Sequence, residues 1–354
     1  MASRWLAFVF SCFFALNIIT LQSADSLAAA PKTTSSAKIK TAIKAAAKAP
    51  SKKIVNANKK KISQRLAAKR APTAPQADRF SAVVVDADSG TVLYERNADK
   101  QRYPASLTKM MTLYLTFDAM KKGKINLGTM VDVSEKAAGQ PQTNINLAAG
   151  SRISVENCIK AIVVRSANDA AFALGESLGQ TQWNFALMMT NKARELGMRD
   201  TVFKNPNGLP DDSQHTSAFD MARLGIALRR DFPDYFAYFK TLRFDYDGIT
   251  YTTHNRVMLR YDGVDGIKTG FIRASGFNLV TSASKNGHNL VAVIMGGSSA
   301  TARDDQMIDL LDQSFAELGS KRSHSAANDN DHESSLDKPE QVMSANAQAK
   351  NHVF

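Results

Sequence analysis

The chain has 354 residues, 45 of them Lys or Arg and 33 Asp or Glu, for a formal charge of +12. A hydrophobic content of 44% excludes disorder along the whole chain, and 19 Gly with 2 Cys exclude a collagen-like or disulfide-rich scaffold. The charge invites a nucleic-acid or acidic-polymer partner, but it is unevenly spread: residues 31–77 hold 13 basic and no acidic groups, whereas residues 78–319 hold 27 of each. No specific nucleic-acid partner is therefore expected of the folded part.

In chain order, Arg4 precedes the mostly apolar stretch Trp5–Leu21, and Ser26-Leu-Ala28 supplies small residues for a cut. Residues 1–28 read as a signal peptide cleaved near Ala28, which places the protein in the periplasm or cell envelope. The competing reading is an uncleaved anchor, for which a run broken by Ser11, Asn17 and Thr20 is short. Cleavage removes Cys12 and leaves Cys158 alone in an apolar helical run, where a buried thiol is expected. Residues 29–77 contain no aromatic residue and read as a disordered basic linker. It serves either as a spacer or as an electrostatic tether to an anionic wall polymer or membrane surface.

The pattern then becomes globular. Phe80–Glu95 predicts two strands about the turn at Asp88-Ser-Gly90. Ser106–Lys122 predicts a helix, with Met110, Leu113, Tyr114 and Phe117 at helical spacing and Gly123 as its stop. Residues 125–150 read as irregular. Helices are expected over Val155–Val164, Asp169–Gly179, Thr181–Leu196 and Ser217–Arg230. Strands return at Leu242–Tyr246, Ile249–Thr253, Phe277–Ser282 and Asn289–Met295, and Thr301–Leu318 closes the pattern as a helix. Residues 320–354 read as a disordered polar tail. This is an α+β chain: an antiparallel sheet flanked by helices, with a helical lobe, and a cleft between them as the default site.

Three short motifs carry chemistry. In Ser106-Leu-Thr-Lys109 the two side chains share a helix face, so a neutral lysine can act as base for the hydroxyl. Ser-x-x-Lys also begins at Ser35, Ser282 and Ser335, and an N-capping serine beside an exposed lysine would explain the same letters. Ser166-Ala-Asn168 lies between helices, either as a cap or with both side chains in a cleft. Lys268-Thr-Gly270 reads as a strand edge where glycine lets a substrate backbone approach. The three in this order, 60 and 102 residues apart, match the motif set of penicillin-binding proteins and class A β-lactamases.

Over residues 78–319 the chain resembles the low-molecular-weight penicillin-binding proteins that are D-alanyl-D-alanine carboxypeptidases. Tyr103–Thr112, Phe203–Pro210 and Asp265–Phe271 carry the likeness beyond the triple. The resemblance implies a β-lactamase/transpeptidase-like catalytic domain with Ser106 as nucleophile, Lys109 as its base, and Ser166 and Asn168 in proton relay and orientation. It implies that Lys268, Thr269, Gly270, Phe271 and Arg256 bind substrate, with the N–H groups of Ser106 and Phe271 as oxyanion hole. The implied substrate is a peptidoglycan stem peptide, with β-lactams as inhibitors and neither cofactor nor metal required. His215 and His254 are expected to be ordinary polar positions.

The sequence also departs from the family. Ala167 stands where glycine is common, and Phe271-Ile272 where a small or polar residue is frequent. The C-terminal β-rich domain and amphipathic anchor helix are not found, so no membrane association through the C-terminus is expected. Competing readings are a D,D-endopeptidase cutting cross-links and a non-catalytic wall-binding protein. A β-lactamase would need a Glu-x-x-Leu-Asn stretch between the second and third motifs, and there is none.

Overall fold

Six consecutive buried residues form the first strand, β1 (Ser81–Asp86). Ala82 and Val84 enter one apolar cluster and Val83 and Val85 another, so the strand is covered on both faces. The computed structural model describes residues 79–332, with side chains to residue 320. The expected signal peptide, basic linker and end of the polar tail lie outside the described residues.

β2 (Val92–Arg96) returns antiparallel to β1. A 3-10 turn, Ala105–Thr108, runs into α1 (Lys109–Lys121). Next come β3 (Met130–Asp132), α2 (Glu135–Ala138), β4 (Arg152–Ser154) and α3 (Val155–Lys160). A π-helical turn, Ala161–Arg165, leads to α4 (Asn168–Gly179) and α5 (Gln182–Glu195). After an irregular segment follow α6 (Ala218–Asp231), α7 (Pro233–Phe236) and the hairpin of β5 (Arg243–Tyr246) and β6 (Ile249–Thr252). A 3-10 turn at Arg256–Leu259 precedes β7 (Val264–Ile272), β8 (Gly276–Lys285), β9 (His288–Gly297) and α8 (Ala300–His332).

Helix starts follow their caps. Ser134, Ser154, Thr181 and Ser217 each accept a hydrogen bond from the backbone N–H three residues on, which satisfies a donor the helix itself leaves unpaired. The main sheet has the spatial order β2-β1-β9-β8-β7 and is antiparallel throughout. α8 covers one face through Met307, Leu310, Leu311 and Phe315. The helical lobe, including Met110, Phe117 and Leu224, covers the other. β7 is an edge strand, and its open side borders the cleft.

Two expectations need correction. Residues 125–150 are not wholly irregular: β3 pairs with β4 across Val131↔Ile153, and α2 follows. Three-residue strands are too short for an alternation to register. α8 also continues past Leu318 to His332. Once a helix is nucleated by packing, each further turn costs little, even through polar sequence. Cys158 is buried as expected, and burial pushes its thiol well up.

Candidate active site

The 3-10 turn before α1 repeats every three residues, so Ser106 and Lys109 are stacked one above the other. Ser106 caps neither the 3-10 turn, whose N-cap is Pro104, nor α1, whose N-cap is Thr108, and neither start has a side-chain cap bond. Lys109 is fully buried. Its Nζ lies 3.1 Å from Ser106 Oγ, 2.7 Å from Asn168 Oδ1 and 2.5 Å from the Asn207 carbonyl oxygen. Burial, with the charge of Lys268 behind it, holds this amine well below its ordinary range, against the opposing pull of Asp169. A neutral amine has two N–H donors and one lone pair. The two amide oxygens take the donors, which leaves the lone pair for the Ser106 hydroxyl.

The loop that supplies the Asn207 carbonyl is pressed onto this turn. Gly208 has φ +81°, and a Cβ there would sit 1.9 Å from the Ala105 carbonyl oxygen, so only glycine fits. Thr112 on α1 donates to the Pro206 carbonyl oxygen at 2.6 Å and secures the same loop.

Ser166 ends the π-helical turn in the left-handed conformation, φ 62° and ψ 34°. Ala167, not Ser166, is the N-cap of α4, and it makes no side-chain cap bond. Ser166 Oγ is buried and has no hydrogen-bond partner among the described residues. Asn168 is fixed at both ends: its Nδ2 donates to the Pro141 carbonyl oxygen at 2.7 Å, and its backbone N–H to Thr143 O at 2.7 Å. Thr143 Oγ1 in turn donates to Ser166 O at 3.0 Å. The adjoining Asp169 is buried and accepts from the N–H groups of Ile145, Leu147 and Ala170. One carboxylate thus ties residues 145–147 to the start of α4.

On β7, alternation sends Lys268 and Thr269 to opposite faces. Lys268 pairs with Val280 on the helical-lobe side, and Thr269 with Leu279 on the α8 side. Lys268 is buried, and its Nζ donates to Thr269 O at 2.9 Å. Burial, then Arg303, pushes its amine down to about 7. At Gly270 a Cβ would come within 3.2 Å of the backbone nitrogens of Ser106 and Leu107, so the strand edge lies directly against the nucleophile's turn. Phe271 follows on the same edge, 53% exposed, its ring 4.4 Å from that of Phe277.

These elements enclose a cleft of about 620 Å³. Ser106, Ser166, Asn168, Arg256, Thr269, Gly270 and Phe271 line it, while Lys109 and Lys268 stand buried behind its walls. All nine residues anticipated from the motifs therefore meet in one place. Sequence reasoning missed Asn207, which acts through a carbonyl that every residue type carries. It also missed Arg303, hidden in the start of α8, which donates to Asn278 O at 3.2 Å from a buried position. His254, expected to be an ordinary polar position, lines the cleft as well. Burial, then Lys268, Arg165, Arg303 and Arg256, pushes its imidazole down to about 4, so it is neutral at pH 7. Among the described residues the lining contains two arginines and no carboxylate; Arg303 is paired with the buried Asp304 behind the wall, so Arg256 is the lining charge placed to meet an anion.

Residues 68–299 match the family Peptidase S11, D-alanyl-D-alanine carboxypeptidase. The chain is 37% identical over 251 residues to D-alanyl-D-alanine carboxypeptidase DacA of Escherichia coli, a match covering 69% of this chain and 62% of that protein. It thus spans less than two thirds of that relative's length. Penicillin binding protein 5 of Haemophilus influenzae has the same fold, with a TM-score of 0.65, 35% identity, and coverage of 69% of this chain and 72% of the other. Penicillin-Binding Protein D2 of Listeria monocytogenes, solved in a cefotaxime-bound form, gives a TM-score of 0.61 at 28% identity, over 66% of this chain and 96% of that one. With its motifs assembled around one cleft on that fold, the chain belongs to the D-alanyl-D-alanine carboxypeptidase family, Peptidase S11.

Proposed function

We propose that the protein is a serine-type D-Ala-D-Ala carboxypeptidase that removes the terminal D-alanine from peptidoglycan stem peptides. The observation that carries this reading is the fully buried Lys109 amine, 3.1 Å from Ser106 Oγ and within hydrogen-bond reach of Asn168 Oδ1 and the Asn207 carbonyl oxygen, where burial favours its neutral form. Ser106 Oγ attacks the carbonyl between the two D-alanines, and its proton passes to Lys109. The backbone N–H groups of Ser106 and Phe271 hold the oxyanion, a contact worth roughly 3–4 kcal/mol per donor in such sites. The C–N bond breaks, and the leaving amine takes a proton by way of Ser166, whose hydroxyl has no other partner among the described residues. Lys268, Thr269 and Arg256 receive the substrate carboxylate. Water then hydrolyses the acyl-enzyme by the same proton path in reverse.

β-Lactams enter by the same attack. The cefotaxime-bound Listeria relative supports this, as does the shared site architecture. Incubation of the purified chain with a fluorescent penicillin should label Ser106, and a pentapeptide ending in D-Ala-D-Ala should release D-alanine. No covalent label would overturn the reading. Labelling without release, but with cutting of cross-linked muropeptides, would make the protein an endopeptidase.

The placement outside the cytoplasmic membrane, by a signal over residues 1–28, belongs to the same proposal and rests on sequence. So does a role for residues 31–77 in retention on anionic wall or membrane. Deleting 31–77 should leave D-alanine release from a soluble peptide unchanged and weaken retention, most at low salt. Unchanged retention would reduce the segment to a spacer.

A further inference from the structure

Phe271 is the feature of the cleft that the proposed chemistry leaves unused. Its backbone serves the oxyanion, but its ring does not. Phe271 faces Phe277 across the β7–β8 pair, and a cross-strand aromatic pair would be satisfied by packing alone. Yet the Phe271 ring is 53% exposed, and both rings line the cleft together with Ile272 and Ala300. The result is an apolar ledge beside the part of the same cleft that holds the Arg256 and Arg303 guanidiniums and the neutral His254.

The ledge lies on the leaving-group side. Thr269 and Phe271 are two residues apart on one face of β7, roughly 6.6 Å along the strand. That face is the α8 face, because Thr269 pairs with Leu279, which packs under α8. The terminal residue of the substrate has its carboxylate at Thr269 and Arg256. Its nitrogen is bonded to the carbon that Ser106 attacks, beside Gly270. It therefore occupies the stretch of edge between positions 269 and 271, and its side chain lies next to the ring of Phe271. A methyl group covers little of that ring.

We propose that Phe271 and Phe277 form a subsite for the side chain of the leaving residue, so that the enzyme accepts terminal D-amino acids with large apolar side chains as well as D-alanine. This rests on the carboxypeptidase reading and names a wider substrate class for the same site. Arg256 favours the free carboxylate of a terminal residue, Arg303 being paired with the buried Asp304, and the ledge favours an uncharged, branched or aromatic side chain.

The test uses the full chain with acylated L-Lys-D-Ala-D-Xaa peptides in which Xaa is Ala, Leu or Phe, and measures kcat/KM by release of the terminal amino acid. The unaltered chain should release D-Leu and D-Phe within about threefold of D-Ala. Phe271→Thr should lower the D-Leu to D-Ala ratio at least tenfold, the scale on which one or two apolar contacts discriminate substrates. Phe277→Leu, which removes the supporting ring, should lower the same ratio by a smaller factor. Labelling by fluorescent penicillin checks that each variant is folded. Release of D-Ala with refusal of D-Leu and D-Phe by the unaltered chain overturns the ledge and leaves the carboxypeptidase reading intact. An unchanged ratio in both variants overturns it too, as does a change that follows the penultimate residue instead of the terminal one. Failure to release D-Ala, with no penicillin label, overturns the enzyme reading and this inference together.

Discussion

Lys109 and Lys268 are both sealed from solvent, on opposite walls of one cleft, and they are held very differently. On the helical wall, Lys109 has three oxygen partners, and Asn168 and Asn207 that hold it are themselves fixed by Pro141 and Gln140. On the sheet wall, the Lys268 amine donates to Thr269 O and makes no other hydrogen bond among the described residues, and at the end of the π-helical turn Ser166 Oγ makes none. Groups that must act on the nucleophile are settled before substrate arrives, so no reorganisation is needed when the proton moves. Groups that must meet the substrate keep hydrogen-bonding capacity in reserve, which a bound carboxylate and leaving amine would fill.

If that contrast is right, the two lysines should fail in different ways. Lys109→Ala should lower kcat for D-alanine release by about 10²–10⁴, the usual worth of a positioned base, with KM little changed. A Lys109→Ala variant with near-normal penicillin acylation would erase the distinction. On the other wall, Arg256→Ala should raise KM for a D-Ala-D-Ala peptide by about 10–100-fold, from the loss of a charged hydrogen bond worth roughly 1.5–3 kcal/mol. A drop in kcat alone would move Arg256 away from the carboxylate.

Smaller effects separate the walls by pH. Lys268 must be protonated to attract a carboxylate, and its amine sits at about 7. KM should therefore rise by a few-fold as the pH climbs above 7, and a flat KM between pH 6 and 9 would argue that the charge is supplied elsewhere. Lys109 must be neutral, so activity should fall as the pH drops through its lowered value. Asp169 raises that value. Asp169→Asn removes the negative charge, lowers the Lys109 value further and should move the acid limb of the pH–rate profile to lower pH. It should also cost about 1–3 kcal/mol in unfolding measurements, because the N–H groups of Ile145 and Leu147 lose a charged acceptor.

The nucleophile and its base could be read from the letters because an i, i+3 pair at the head of an apolar-periodic helix has one geometry. The walls of the sheet were legible for the same kind of reason: β1 and β9 carry continuous apolar runs bounded by polar or turn residues. What escaped notice depends on tertiary contact. The left-handed turn at Ser166 and its unpartnered hydroxyl come from how α3 meets α4, not from Ser-Ala-Asn itself. Asn207 contributes a backbone oxygen, and Arg303 reaches the cleft only because α8 lies across the end of β8. His254 looked ordinary because its neighbours Lys268, Arg165 and Arg303 are scattered over more than a hundred residues of sequence.

The pairing of β1 with β9 joins Ser81 to Met295 and Asp86 to Leu290, partners more than 200 residues apart. The first strand of the sheet can pair at once with β2, but it waits for almost the whole domain to be synthesised before its second neighbour, β9, exists. The helices of the lobe close local contacts and can form early, whereas the sheet is a late, slow event. β7 docks on β8, and β8 on β9, so the edge that receives substrate is assembled in that last step. A chain interrupted between Lys109 and Gly297 would carry Ser106 and Lys109 yet have no completed sheet to work against, so the proposed hydrolysis would wait for β9.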